Sequence, residues 1–151
     1  MSIFGFALPR WKSTNGSLVP VKKITKTYSM GGCAFNPRNR DTDQVHGIVH
    51  LEADADDIEF MCMLDLPDDA VIKTVIVYGN SSASAETWQL LRITTDGSTI
   101  SAVANNNINS MDSSIIGATI NNSNYYYYFR TSTLDTGDEI EGFKITYEIG
   151  G

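Results

Sequence analysis

Acidic residues are missing from the first 40 positions of the chain, where neither Asp nor Glu occurs. The charges in that stretch are all basic: Arg10, Lys12, Lys22, Lys23, Lys26, Arg38 and Arg40. From Asp41 onward the balance reverses. All 18 acids lie there, against Lys73, Arg92, Arg130 and Lys144. The first 40 residues carry +7 and the remaining 111 carry −14, giving the net −7 of the chain. A basic segment ahead of an acidic body either folds back onto that body or reaches a neighbouring subunit or a polyanion. An acidic body repels phosphate, so nucleic acid is not an expected partner.

Other scarcities narrow the field further. There are two cysteines, Cys33 and Cys62, and no CxxC pair. A paired-cysteine metal or redox motif is therefore excluded, and a Cys33–Cys62 disulfide stays open. Cys62 sits in an apolar run and reads as a small buried hydrophobe. No apolar run approaches the roughly 18 residues of a membrane-spanning helix. The stretch Met1 to Arg10 has no basic start before its apolar residues, so no classical signal peptide is evident. Long runs of Ala, Leu, Glu and Lys are missing, which disfavours helices. Also absent are GxSxG, a Walker glycine loop and HExxH. No catalytic constellation emerges, and the chain is expected not to be an enzyme.

What is present is a period of two. Ile58, Phe60, Cys62, Leu64 and Leu66 share one face of an extended segment. Val71 to Tyr78 is rich in Val and Ile on both faces and reads as a central strand. Further strands are expected over Leu18 to Tyr28, Gln44 to Leu51, Thr87 to Thr95, Thr99 to Ala104, Tyr125 to Thr133 and Ile140 to Ile149. Pro67-Asp68-Asp69, Asp96-Gly97 and Asp135-Thr-Gly-Asp138 mark turns between them. Eight or nine short strands with regular turns predict an all-β, antiparallel, jelly-roll-like sandwich. Residues 1–17 read as an extended N-terminal arm and 18–151 as the sandwich domain. The arm carries large apolar groups, Phe4, Phe6 and Trp11 among them, which need a groove to bury them.

Three groups of residues are candidates for function. The arm is the first, with Phe4, Phe6 and Trp11 as anchors and Arg10, Lys12, Lys22 and Lys23 as steering charges. The second is the run Tyr125-Tyr-Tyr-Tyr-Phe129. Alternation sends Tyr125, Tyr127 and Phe129 one way and Tyr126, Tyr128 and Arg130 the other. One set is core. The other, with Trp88, is a candidate for subunit contact or for stacking on a glycan. The third is acidic. Glu52, Asp54, Asp56 and Asp57 offer hard oxygen ligands to a calcium ion, and a solvated acidic loop is the alternative. His46 and His50, four apart with Asp43 and Glu52 nearby, would share a face of one strand and offer a metal site.

Several segments resemble a known group of domains. They are Ala34-Phe-Asn-Pro-Arg-Asn-Arg-Asp-Thr-Asp43, Leu66-Pro-Asp-Asp-Ala-Val-Ile-Lys-Thr-Val-Ile-Val-Tyr78, Asn121-Asn-Ser-Asn-Tyr-Tyr-Tyr-Tyr-Phe129 and Gly142-Phe-Lys-Ile-Thr-Tyr147. Together, over about residues 28–149, they resemble a loosely characterised family of bacterial and archaeal β-sandwich modules. Its members often stand at the C-terminus of large secreted or surface proteins. The resemblance implies a sandwich fold and brings no catalytic residues with it. Here the module follows a basic arm, where the usual members end longer chains.

The expected function is structural: a virion or tail component, or an extracellular filament subunit, that self-assembles as a homo-oligomer through its arm. The alternative is a carbohydrate-binding or adhesin module with a glycan partner. No cofactor is expected unless calcium binds, and the expected location is a virion or the cell exterior.

Overall fold

Period-two patterning becomes two antiparallel sheets packed face to face. The computed structural model describes residues 11–14, 17–20, 22–38, 44–47 and 49–150. Its strands are β1 (Trp11–Thr14), β2 (Ser17–Pro20), β3 (Ile24–Gly31), β4 (Asn36–Pro37), β5 (Gln44–His46) and β6 (Leu51–Ala53). They continue as β7 (Phe60–Leu64), β8 (Val71–Gly79), β9 (Thr87–Thr94), β10 (Ile100–Asn107), β11 (Tyr125–Thr131) and β12 (Glu139–Ile149). Single 3-10 turns lie at Gly32–Ala34 and Ser82–Ala85. One sheet runs β10-β9-β11-β7-β4. The other is built on β12, which pairs with β8, β3 and β6, and β6 pairs in turn with β5.

The two inner faces meet through aromatic rings. Phe129 of β11 and Phe143 of β12 have centroids 4.8 Å apart, one ring from each sheet. Phe35 packs on both, at 6.1 Å and 6.2 Å. Trp88 of β9 stands edge-on to Phe129 at 6.0 Å. Around this cluster lie Leu51, Phe60, Ile72, Val75, Val77, Leu90, Ile140 and Ile145, all buried. Strict alternation breaks at bulges. The register of β10 shifts between Ala102 and Ala104, and Val103 and Ala104 are both buried as a result. Gly32 lies so close to the Ile140 carbonyl of β12 that a Cβ would overlap it, which explains a glycine there.

Two expected strands are each divided. Leu18 to Tyr28 is not continuous: β2 ends at Pro20 and β3 begins at Ile24. Proline cannot donate to a ladder. Within the stretch read as the arm and just after it, β1 and β2 pair antiparallel, with Trp11 opposite Pro20 and Thr14 opposite Ser17. The 17/18 boundary falls inside β2. Gln44 to Leu51 is likewise two strands, since the chain reverses and pairs His46 with Leu51.

Candidate functional site

At one end of the sandwich, four pieces of chain surround an open cleft of about 450 Å³. Its lining includes Asp68, Asp69, Arg92, Thr119, Asn121 and Tyr125. Each piece is held by its own hydrogen bonds. The turn between β7 and β8 carries the two aspartates. Asp69 adopts a left-handed φ of 63° there, and its N–H donates to the Ile120 carbonyl at 2.9 Å. Ile120 N–H donates back to Ala70 at 2.8 Å, so turn and facing segment are laced together. One Asp68 oxygen accepts the Asn122 N–H at 2.8 Å. The Asn121 N–H donates to the hydroxyl of buried Tyr127 at 3.0 Å, tying the cleft to the core.

The opposite wall comes from β9 and β11. Register places Arg92 opposite Tyr127 and Thr94 opposite Tyr125. The Arg92 side chain leans over the Tyr125 ring, 4.6 Å from its centroid. Its Nε donates to Ser101 Oγ at 3.0 Å. Gly117, with φ of 62°, faces the guanidinium where any Cβ would collide with it. An arginine–tyrosine stack, two carboxylates and a backbone-anchored asparagine thus border one concave space. Such a lining offers acceptors, donors and an aromatic surface together.

The residues expected to form an aromatic surface are largely elsewhere. Trp88 is 0% exposed, and its Nε1 donates to the carbonyls of Asn107 at 2.9 Å and Ser110 at 3.2 Å. It is a core residue, and no ligand can stack on it. Tyr128 is also buried, although alternation puts it on the outer face with Tyr126. Tyr126 is 52% exposed and remains available. Arg130 is engaged. Its guanidinium meets Glu59 at 2.8 Å, and Arg38 meets the other Glu59 oxygen at 2.7 Å. The hydrogen bond from Arg130, with that from Arg38, holds the Glu59 carboxyl below the usual carboxylate range.

The acidic run does not converge. Among the described residues, no three of Glu52, Asp54, Asp56 and Asp57 bring ligand atoms together. Asp56 instead accepts from Thr136, through its N–H at 2.9 Å and its hydroxyl at 2.8 Å. Those bonds lower its carboxyl's affinity for protons. Asp57 takes a left-handed φ of 63°, which breaks the alternation on which the calcium reading rested. His46 and His50 do not share a strand, because the β5–β6 reversal separates them. Asp43 lies outside the described residues.

Of the arm, Phe4, Phe6 and Arg10 lie outside the described residues, while Trp11 and Lys12 belong to β1. Lys22 is exposed, and Lys23 lies 3.9 Å from Glu148. With Arg38 on Glu59, two of the basic residues from the first 40 thus fold back onto the acidic body. Both cysteines are free thiols, Cys33 exposed and Cys62 buried. Asp68, Asp69, Arg92, Asn121 and Tyr125 were not singled out as a site from the sequence. The available signal was Arg92, one of four basic residues after Asp41, set within the apolar run Leu90-Leu91-Arg92-Ile93.

No family model matches the chain, and no curated protein matches it. Among solved structures it is similar to a xylan-binding module, CBM15, with a TM-score of 0.45 and 12% sequence identity. That match covers 83% of this chain and 97% of the other. At that score and identity, nothing about ligand or role follows from the likeness.

Proposed function

We propose that this β-sandwich is a non-catalytic carbohydrate-binding module whose ligand lies in the Asp68–Arg92–Tyr125 cleft. The observation that carries the reading is the Arg92 guanidinium over the Tyr125 ring, in a cleft that Asp68 and Asp69 also line. A saccharide presents hydroxyls that both donate and accept, and C–H faces that prefer an aromatic partner. Carboxylates accept hydrogen bonds from the hydroxyls, and the guanidinium and amide donate to the hydroxyl oxygens. The cleft's volume falls within the roughly 300–1,000 Å³ usual for small-ligand sites.

Binding to a glycan array, followed by calorimetry on the best ligand, tests the reading. Arg92→Ala and Asp68→Asn are expected to weaken binding at least about tenfold, the equivalent of about 1.4 kcal/mol. Tyr126→Ala, on the other face of β11, is expected to change it less than about twofold. The reading fails if no glycan binds, or if the Tyr126 variant loses binding while the cleft variants keep it.

A second reading is self-assembly, favoured by β3. Among the described residues this strand pairs with β12 alone and exposes Ile24 (55%) and Met30 (43%). An exposed strand edge is a template for another chain. Removing residues 1–17 and measuring mass in solution tests the arm's part in assembly. Equal masses for the full and shortened chains would exclude it.

A further inference from the structure

The β5–β6 reversal and its pairing with the start of β12 bring three side chains together. His50, Glu52 and Glu139 each offer a ligand atom, and these atoms all lie within 4.8 Å of one another. We propose that they form a binding site for a divalent transition-metal ion, with Zn²⁺ as its best fit.

The backbone fixes all three positions. The His50 carbonyl accepts the Gly47 N–H at 2.9 Å, closing the reversal. A Cβ on Gly47 would overlap the His50 ring, so the glycine leaves the imidazole its place. Glu52 sits on β6 between buried Leu51 and Ala53. Glu139 opens β12, and Asn80 holds its backbone on both sides, accepting from its N–H and donating to its carbonyl, each at 3.2 Å. The three side chains are half-buried, so each keeps some access to solvent.

The charge arrangement supplies a second, independent argument. Glu52 and Glu139 are direct cross-strand partners. Like charges placed opposite each other destabilise a sheet. Among the described residues, neither glutamate forms an ion pair with Lys or Arg. A cation held between them removes that repulsion. The donor set then chooses the cation. One imidazole and two carboxylates match the nitrogen and oxygen ligands of Zn²⁺, with solvent to complete a tetrahedron. Calcium and magnesium favour all-oxygen shells and gain little from the imidazole.

Titration of the metal-free chain with Zn²⁺, and with Co²⁺ as a visible-absorbing substitute, tests the site. A single ion per chain and a tetrahedral Co²⁺ absorption band are expected. His50→Ala, Glu52→Gln and Glu139→Gln should each weaken Zn²⁺ binding by at least about tenfold, since even outer contacts of a metal site commonly cost that much. The two glutamine variants preserve side-chain volume, and thermal melts without metal establish that they fold. The assignment is overturned if Zn²⁺ does not bind, if the chain takes Ca²⁺ in preference, or if His50→Ala leaves Zn²⁺ affinity unchanged.

Discussion

Arg130 of β11 reaches across to Glu59, ahead of β7, and the two meet at 2.8 Å. Arg38 closes on the same carboxylate from a segment 21 residues earlier in the chain. The network pins the short edge strand β4 and its flank to the sheet. Because both partners hold Glu59 ionised, its folded-state affinity for protons is below that of the unfolded chain. Stability from this group is present above the unfolded glutamate pKa of about 4.3 and lost as pH falls through the depressed folded value. Comparing urea midpoints at pH 7 and pH 3 should therefore give a smaller acid loss for Glu59→Gln than for the parent. An equal or larger loss would remove Glu59 from the acid response.

Trp88 is a packing residue, and its substitution should read out as stability. Trp88→Ala opens a core cavity beside Phe129 and removes the indole donor to the Ser110 carbonyl and to the Asn107 carbonyl, which keeps the Ser110 N–H at 3.0 Å. A loss of roughly 3–5 kcal/mol is expected from urea denaturation. Trp88→Phe should cost less, because much of the ring volume survives. A cost under about 1 kcal/mol for the alanine variant would contradict its place in the core.

The two thiols should react differently. Burial pushes the Cys62 thiol up to about 11, so little thiolate exists at neutral pH. Cys33 is exposed. Iodoacetamide on the native protein should alkylate Cys33 within minutes and leave Cys62 unmodified until denaturant is added. Mass spectrometry of the digested chain identifies the labelled residue. Oxidised preparations should show no Cys33–Cys62 linkage.

Tyr127 links the core to the cleft. Its hydroxyl accepts the Asn121 N–H at 3.0 Å, and its ring lies edge-on to Tyr125 at 6.4 Å. Tyr127→Phe keeps the ring and deletes the acceptor. About 1 kcal/mol of stability should be lost. The Asn121 wall should loosen, so glycan affinity in the proposed cleft should fall although no direct contact is removed. Unchanged stability by urea denaturation would show that water replaces the hydroxyl at no cost.

The core was legible because burial on one face of a strand imposes a period of two. Phe60 and Cys62, and Phe129 with Tyr127, lie on the faces that alternation assigned. Bulges are where the same rule failed, as at Val103 and Ala104, because an extra residue turns a neighbour inward. Tyr128 is buried although it lies on the outer face, since alternation names a face and not what covers it. The hairpin reversal after His46 was hidden because Val45, Gly47, Val49 and Leu51 continue the alternation straight through it.

Local order along the chain therefore determined the class of fold, the turns at Pro67 and Asp96, and the inert burial of Cys62. Those features depend on neighbours within a few residues, where side-chain alternation and turn chemistry act. Which residues share a site was decided only by the tertiary structure. Asp68 shares a cleft with Arg92 and Tyr125, and His50 gathers with Glu139, across distances in sequence that no period encodes. The physical reason is sheet pairing: antiparallel register joins strands far apart in the chain, and only the closed sandwich sets which of their ends converge.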